Sequence, residues 1–414
     1  MPPILRCPVC DSAGAAEVYR SLMPLRTVRR VGAGEGAGHR SEMRLVSCTA
    51  CGHLFNAAFD PELDEEMYGD GPLTNVPVHP SMIGRLHDLI EWLGVGPAHA
   101  PDIVEVGCGS GHLARILAPF ARSVTLFEPN RSLVPDMLPE PGIRLVSAPL
   151  PPEGLPGGAD LVICRQVLEH VADPLALMTA IRTSLRKGGH AYLEVPNGTY
   201  VVDHAAFMDV HLQHVQYFSR DGFLHLARRA GLVPVKEQWI KGGHDFGILF
   251  AATPFGESVS APPCTGTGPA GLGRRFTARI AAARRRLNRP GARIGLYGAT
   301  AQAQAFVNAV APAGRFPVVF DDTPGLAGFA LFDAHHDIPV EAPSAERLAT
   351  LDTVVVTAYL HDEAITRNLR ARGFLGPVLS IRPDPVPGND LRLDWLFDPG
   401  GAQAAGVEGP GPDA

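Results

Sequence analysis

Ile103-Val104-Glu105-Val106-Gly107-Cys108-Gly109-Ser110-Gly111-His112 is the stretch whose reading decides the fold. An apolar run, Ile103 to Val106, leads into three glycines at alternate positions. Apolar residues at helical spacing follow at Leu113, Ile116 and Leu117. The pattern predicts a strand, a tight turn and a helix. Glycines lack a Cβ, so such a turn can take positive φ and its backbone can come close to a ligand. The helix that starts there directs free N–H groups, and the positive end of its dipole, into the turn. In a chain with 45 glycines a G-x-G arises by chance, so the weight falls on what surrounds it. Glu105 stands two residues before the first glycine, which makes E-x-G-x-G-x-G rather than the G-x-G-x-x-G of dinucleotide sites. Val124-Thr125-Leu126-Phe127-Glu128 then reads as a second strand with an acid at its carboxyl end. That acid follows the turn by about 20 residues, where a carboxylate can accept from both ribose hydroxyls.

This combination resembles the class I S-adenosylmethionine (SAM) methyltransferases, with another nucleotide-binding α/β domain as the alternative. The resemblance implies SAM as cofactor, held by Glu105, Gly107, Gly109, Gly111 and Glu128. The alternation of strand and helix continues, with strands expected at 102–106, 124–128, 143–147, 160–164, 190–195 and 246–252. That is the pattern of an α/β doubly wound parallel sheet. Ala159 to Arg165 ends the fourth strand, and ligands of such sheets lie at the carboxyl ends of strands, so Arg165 joins the expected cofactor-binding residues. Gln166 to Pro174, including His170, follows at the pocket mouth, and Leu185-Arg186-Lys187-Gly188-Gly189 reads as a helix end with a glycine stop.

The chain of 414 residues has room for two or three domains. Its hydrophobic and charged fractions, 45% and 19%, are those of a globular protein rather than a disordered one. A net charge of −7 argues against general affinity for nucleic acid or acidic membranes. No apolar run reaches the ~18 residues of a membrane span, and Met1-Pro2-Pro3-Ile4 lacks the features of a signal peptide, so a cytoplasmic location is expected. The cysteines are used unevenly. Cys7 and Cys10, then Cys48 and Cys51, form two C-x-x-C pairs, whereas Cys108, Cys164 and Cys264 stand alone. Two such turns close a tetrahedral four-thiolate shell, which suits structural zinc and leaves no open position for catalysis. His53 is surplus to that shell.

The expected organisation is a zinc-binding module at 1–75, a methyltransferase core at 76–255, a linker and basic helix at 256–290, a Rossmann-like α/β domain at 291–390, and a disordered tail at 391–414. The basic helix, with arginines at 284–286, reads as a solvated face. The C-terminal unit repeats the strand–glycine–helix layout at Ala292 to Val310 but keeps only Gly298 of the fingerprint.

The most chemically loaded stretch is Asp209-Val210-His211-Leu212-Gln213-His214-Val215-Gln216-Tyr217-Phe218-Ser219. His211 and His214, three apart, would share a helical face and could act as acid, base or substrate contacts. Metal binding is the weaker reading, since no Glu lies between them as in H-E-x-x-H and no third ligand is apparent nearby. His244 is a further candidate.

The order of parts resembles the sugar C-methyltransferases, which act on nucleotide-linked 4-keto deoxysugars. The resemblance extends to about residue 385 and rests most on Val167-Leu168-Glu169-His170, Tyr297-Gly298-Ala299 and the segment before Tyr217-Phe218-Ser219. In that family the last segment usually reads Tyr-His-Glu-His-x-x-Tyr-Phe, so His214 is retained while His211 and Gln213 replace Tyr and Glu. The resemblance implies a base at His214, with His170 and Tyr68 orienting or stabilising an enolate. Gln213 can only hydrogen-bond. The substrate would then be a small molecule, a nucleotide-linked sugar, met by a monomer or weak oligomer. O- or N-methylation of a small metabolite is the alternative, and a non-catalytic scaffold binding zinc and SAM is the reading from outside enzymology.

Overall fold

The computed structural model describes residues 6–30, 40–63, 77, 80–96, 98–130, 141–253, 268–288, 290–310, 316–332 and 337–383. Tyr68, Cys264 and the tail at 391–414 lie outside them. The N-terminal segment supplies strands β1 (Ala15–Pro24), β2 (Val28–Arg30), β3 (Arg40–Cys48) and β4 (Leu54–Asn56). Helix α1 (Pro80–Leu93) precedes β5 (Asp102–Val106), α2 (His112–Leu117), β6 (Ser123–Phe127), β7 (Ile143–Val146), β8 (Ala159–Arg165), α3 (Pro174–Thr183) and β9 (Leu185–Pro196). Then follow α4 (Gly198–Asp203), β10 (Gln216–Tyr217), α5 (Arg220–Arg229), β11 (Leu232–Ile240) and β12 (Asp245–Ala252). The C-terminal part holds α6 (Leu272–Leu287), β13 (Ile294–Tyr297), α7 (Ala301–Val310), β14 (Val319–Phe320), β15 (Phe329–Phe332) and β16 (Asp337–Glu341). It ends with α8 (Ala345–Leu348), β17 (Thr353–Val356), α9 (Asp362–Ala371) and β18 (Val378–Ser380).

The central sheet has the order β11-β12-β9-β8-β5-β6-β7. Its apolar strands are covered on both faces, as parallel sheets require. Two details depart from the expected parallel sheet. Strand β12 runs antiparallel to both β9 and β11, because the short connection at 241–244 permits only a hairpin return. Strand β11 was not foreseen. Pro234, Lys236 and Glu237 break its apolar pattern, and its register shifts between Pro234 and Lys236, which an edge strand tolerates.

The glycine stop expected at 185–189 is also corrected. Helix α3 ends at Thr183, and Leu185 already belongs to β9. Gly189 is needed for close strand approach instead, since a Cβ there would come 2.7 Å from the Ala159 carbonyl oxygen.

The three sheets share strands across the expected segments. Strand β2 pairs with β15 at the edge of the C-terminal sheet, and Arg29 of β2 reaches Asp337 of β16 at 2.6 Å. Strand β10 pairs with β4 in the N-terminal sheet, and buried His53 donates from Nε2 to Gln216 Oε1 at 2.9 Å. The basic helix α6 is not simply solvated either. Arg275 donates to the carbonyls of Val202 and Asp203 at the end of α4, and Arg284 to that of Ala309 near the end of α7. Cations placed on such carbonyls complement the helix dipole. In the C-terminal sheet, Ala299 N and Thr323 N donate to Asp321 at 2.7 and 2.8 Å, so its first turn is tied to a strand-end acid. Among the described residues no helix is long and apolar enough to cross a membrane.

Candidate active site

The turn after β5 has the backbone that its glycines allow: φ is 70° at Gly107, 53° at Gly109 and 69° at Gly111. Gly107 N donates to the Phe127 carbonyl at 2.8 Å, and a Cβ at Gly107 would meet Val167 Cγ2 at 2.3 Å. Glu128 accepts from Gly109 N through Oε2 and from Asn130 N through Oε1, both at 2.9 Å. The carboxylate thus fastens the glycine turn to the next strand end, and burial pushes its pKa up. Each oxygen keeps a second acceptor site.

Glu105 is buried, and its Oε2 has no hydrogen-bond partner among the described residues. Burial, partly opposed by Arg165 and augmented by Glu128, pushes this carboxyl up to about 8. An orphaned buried carboxyl beside an open glycine turn fits a ligand with a cationic group, as SAM has. Arg165 spends its guanidinium on Glu194, at 3.1 and 3.2 Å, and Tyr192 donates to the same carboxylate at 2.8 Å. Gln166 follows with φ 56° and donates to Asp245 at 3.2 Å. A non-glycine residue held in that region is a strained position of the kind found at functional sites.

From Val167 the chain enters a 3₁₀ turn at Leu168–His170. The Glu169 carbonyl accepts from Val215 N at 2.7 Å, and His170 Nδ1 donates to the Gln213 carbonyl at 2.6 Å. These two bonds stitch the 3₁₀ turn to the histidine segment. His211 to His214 is a turn and not a helix, closed by His214 N on the His211 carbonyl at 3.0 Å. The three-residue spacing still brings the rings together, with centroids 4.0 Å apart. His170 lies 5.1 Å from His214, and Tyr217 lies 6.1 Å from it. Burial holds His170 down at about 4 and His211 at about 3, and burial with the neighbouring imidazoles holds His214 well below its ordinary value. All three are neutral bases near pH 7. Gln213 donates its side-chain amide to Thr27 Oγ1 at 3.1 Å and so anchors the turn to the N-terminal segment.

Three further groups stand here: Glu169 and Tyr359, which the sequence did not single out, and His244, which it did. Glu169 is buried, and neither of its carboxylate oxygens has a hydrogen-bond partner among the described residues. Tyr359, from the C-terminal part, donates to Asp209 at 2.7 Å. His244 lies 2.5 Å from Asp245 and 3.7 Å from Asp209. Burial alone would push His244 down, but the two carboxylates raise it to about 9. The signal that could have singled out Glu169 was the pairing of an acid with His170 directly after a core strand.

The four cysteines of the N-terminal segment converge, with Cys7 and Cys51 sulfurs 3.6 Å apart and Cys10 and Cys48 sulfurs 3.6 Å apart. All four Sγ atoms lie within 4.8 Å of one another. Matching turns shape both pairs: Asp11 N bonds the Cys7 carbonyl and Gly52 N bonds that of Cys48. Four converging thiols, three buried and that of Cys10 half-buried, fit zinc. Cys108 and Cys164 are buried singly.

Residues 78–237 match a family model described as a methyltransferase domain. A ubiquinone biosynthesis O-methyltransferase of Cupriavidus pinatubonensis is 31% identical over 124 residues, 27% of this chain and 50% of that protein. The enzyme of the same name from Ralstonia nicotianae is 30% identical over 119 residues, 26% of this chain and 50% of that protein. The chain therefore spans about half the length of these curated relatives. The N-methyltransferase NodS from Bradyrhizobium japonicum, solved with S-adenosyl-L-homocysteine, shares 15% identity at a TM-score of 0.35, covering 47% of this chain and 98% of that one. With the glycine turn, the strand-end acid and the sheet order already described, residues 78–237 are a class I SAM-dependent methyltransferase domain.

Proposed function

We propose that this chain is a SAM-dependent methyltransferase acting on a small molecule, and that its acceptor is the carbon beside the carbonyl of a nucleotide-linked keto-deoxysugar. One observation carries the reading. The glycine turn and Val167 approach closely, and three residues beyond Val167 comes His170, the first of the neutral histidines, which with His214 stands beside Glu169. A cofactor turn and a set of buried bases are thus joined by a few residues of chain. When bound, SAM supplies an electrophilic sulfonium methyl group. Glu105, the glycine turn and Glu128 would hold it, and the four-cysteine module would hold zinc as a structural ion.

The remaining work belongs to the chain's own side chains. A neutral imidazole of the His211–His214 pair takes the acidic proton beside the carbonyl, with His214 the first candidate. His170, whose Nδ1–H is held by the Gln213 carbonyl, presents its Nε2 lone pair and orients the acceptor by accepting from one of its hydroxyls. With SAM bound, its methyl group would pass from sulfur to that carbon, and the proton stays on the imidazole until solvent removes it. Gln213 holds the turn. The C-terminal unit, whose Tyr359 holds Asp209, would complete the acceptor's side of the site.

Oxygen methylation is the second reading, favoured by the O-methyltransferase names of the relatives. The test is calorimetric titration of SAM, followed by incubation of a nucleotide-linked 4-keto sugar in deuterated water. Tight SAM binding and deuterium exchange at the α-carbon, lost in His214→Ala, are the expected result. Methyl transfer without exchange would replace carbon by oxygen as acceptor. Absence of SAM binding would overturn the enzyme reading itself.

A further inference from the structure

The geometry points to a second metal centre, separate from the four cysteines, in which Glu169, His170 and His214 take a divalent first-row transition ion through one carboxylate and two imidazoles. One candidate ligand atom from each residue lies within 4.8 Å of the other two. Donors standing about 2.0–2.2 Å from an ion lie at most ~4.4 Å apart, so small side-chain rotations close this set onto one point. Glu169 Oε1 is already 3.8 Å from His170 Nε2.

Three further features point the same way. His170 Nδ1 donates to the Gln213 carbonyl, so in the neutral ring the lone pair is on Nε2, the nitrogen nearer Glu169. A histidine whose outer nitrogen is fixed by a backbone carbonyl is the usual way a ligating ring is oriented. The Glu169 carboxyl is buried with neither oxygen hydrogen-bonded among the described residues, which is costly unless something else occupies the space it faces. His211 Nδ1 and Tyr217 OH are buried without a hydrogen-bond partner among the described residues as well. The segments that carry the ligands are stitched by Val215 N to the Glu169 carbonyl, so the donors are positioned before any ion arrives.

Two imidazoles and one carboxylate leave coordination positions open, unlike the closed cysteine shell. The open side would take an oxygen of the acceptor, which rests on the methyltransferase reading. There the ion would polarise the acceptor's carbonyl or hydroxyl, and His211, whose ring lies 4.0 Å from that of His214, would receive the proton. His214 would then serve as a ligand and His211 as the base. No electron is transferred and the ion keeps its charge.

The test is titration of the full-length protein with Co²⁺, after its tightly held zinc has been counted, following visible absorption. About one equivalent should bind with weak ligand-field bands and no thiolate-to-cobalt charge transfer, the spectrum of nitrogen and oxygen ligands. Glu169→Gln and His170→Ala should each weaken Co²⁺ by roughly 10-fold or more. SAM affinity, measured on the same variants, establishes that they are folded. Binding that shows only thiolate character, or equal Co²⁺ affinity in wild type and both folded variants, overturns the site. If Co²⁺ does not bind but turnover still depends on His214, the metal centre is wrong and the methyltransferase reading stands. If Co²⁺ binds as described but SAM does not, the metal centre stands and that reading is wrong.

Discussion

Glu128 and Glu105 show how far single side chains depart from their simplest roles. Glu128 was expected to face a ribose, yet it also holds Gly109 N and Asn130 N, so it shapes the turn as well as any ligand there. Glu128→Ala should weaken SAM by roughly 1.5–3 kcal/mol, the size of a charge-assisted hydrogen bond, as read by calorimetry. Unchanged affinity would remove Glu128 from the site. Glu105 makes a prediction about pH. Its folded pKa is raised from 4.5 to about 8 by burial, so the folded chain keeps a proton that the unfolded chain releases. That contribution to stability is complete below pH 4.5 and declines as pH rises toward 8, by at most ~1.4 kcal/mol per unit. Thermal unfolding of the ligand-free protein should show this decline, and Glu105→Gln should flatten it. Parallel curves for the two proteins would contradict the assignment. Both residues were legible in the sequence because their positions depend on one strand and one turn.

At the scale of elements, the glycine turn and the 3₁₀ turn after β8 act as one unit. A Cβ at Gly107 would sit 2.3 Å from Val167 Cγ2 and would also face the strain of a positive φ. Gly107→Ala should therefore lose SAM affinity, and adding Val167→Ala should restore part of it by removing the clash. A double variant no better than Gly107→Ala would mean that backbone strain alone is responsible. The histidine turn gives the matching catalytic prediction: His214→Ala should cut turnover by about 10²–10⁴ while SAM affinity is retained. The sequence spacing announced that His211 and His214 would meet, but it could not distinguish a turn from a helix, since residues three apart meet in both. Glu169 was quoted only as part of a motif, because its burial depends on Val215 pairing with its carbonyl across 46 positions of chain.

The whole molecule is held by exchanged pieces. Strand β2 extends the C-terminal sheet, β10 extends the N-terminal one, and Tyr359 reaches across 150 positions to Asp209. Tyr359→Phe should leave a buried carboxylate oxygen short of a donor and cost about 1–3 kcal/mol of stability, measured by denaturant unfolding. An unchanged midpoint would show that Asp209 has replaced the bond from within its own segment. Stripping the ion expected at Cys7, Cys10, Cys48 and Cys51 should raise amide hydrogen exchange at Gln216 and Tyr217 as well as in β3 and β4. These residues share one sheet, so loss of the module should reach the histidine turn. Exchange confined to residues near the cysteines would refute that coupling.

The amino-acid sequence by itself determined the units: the strand–glycine–helix of the core, the strand-end acid, the two cysteine pairs and the histidine pair. Each is written in residues close together, where backbone freedom, apolar spacing and ligand type act locally. Only the tertiary structure decided which of these units face one another. It seated Glu169 beside His170 and His214, turned Arg165 toward Glu194, and brought Thr27, Asp209 and Tyr359 to the same junction. The reason is physical. A hydrogen bond such as Gln213 to Thr27 spans 186 positions, and its existence depends on how whole sheets pack rather than on any pattern around either residue.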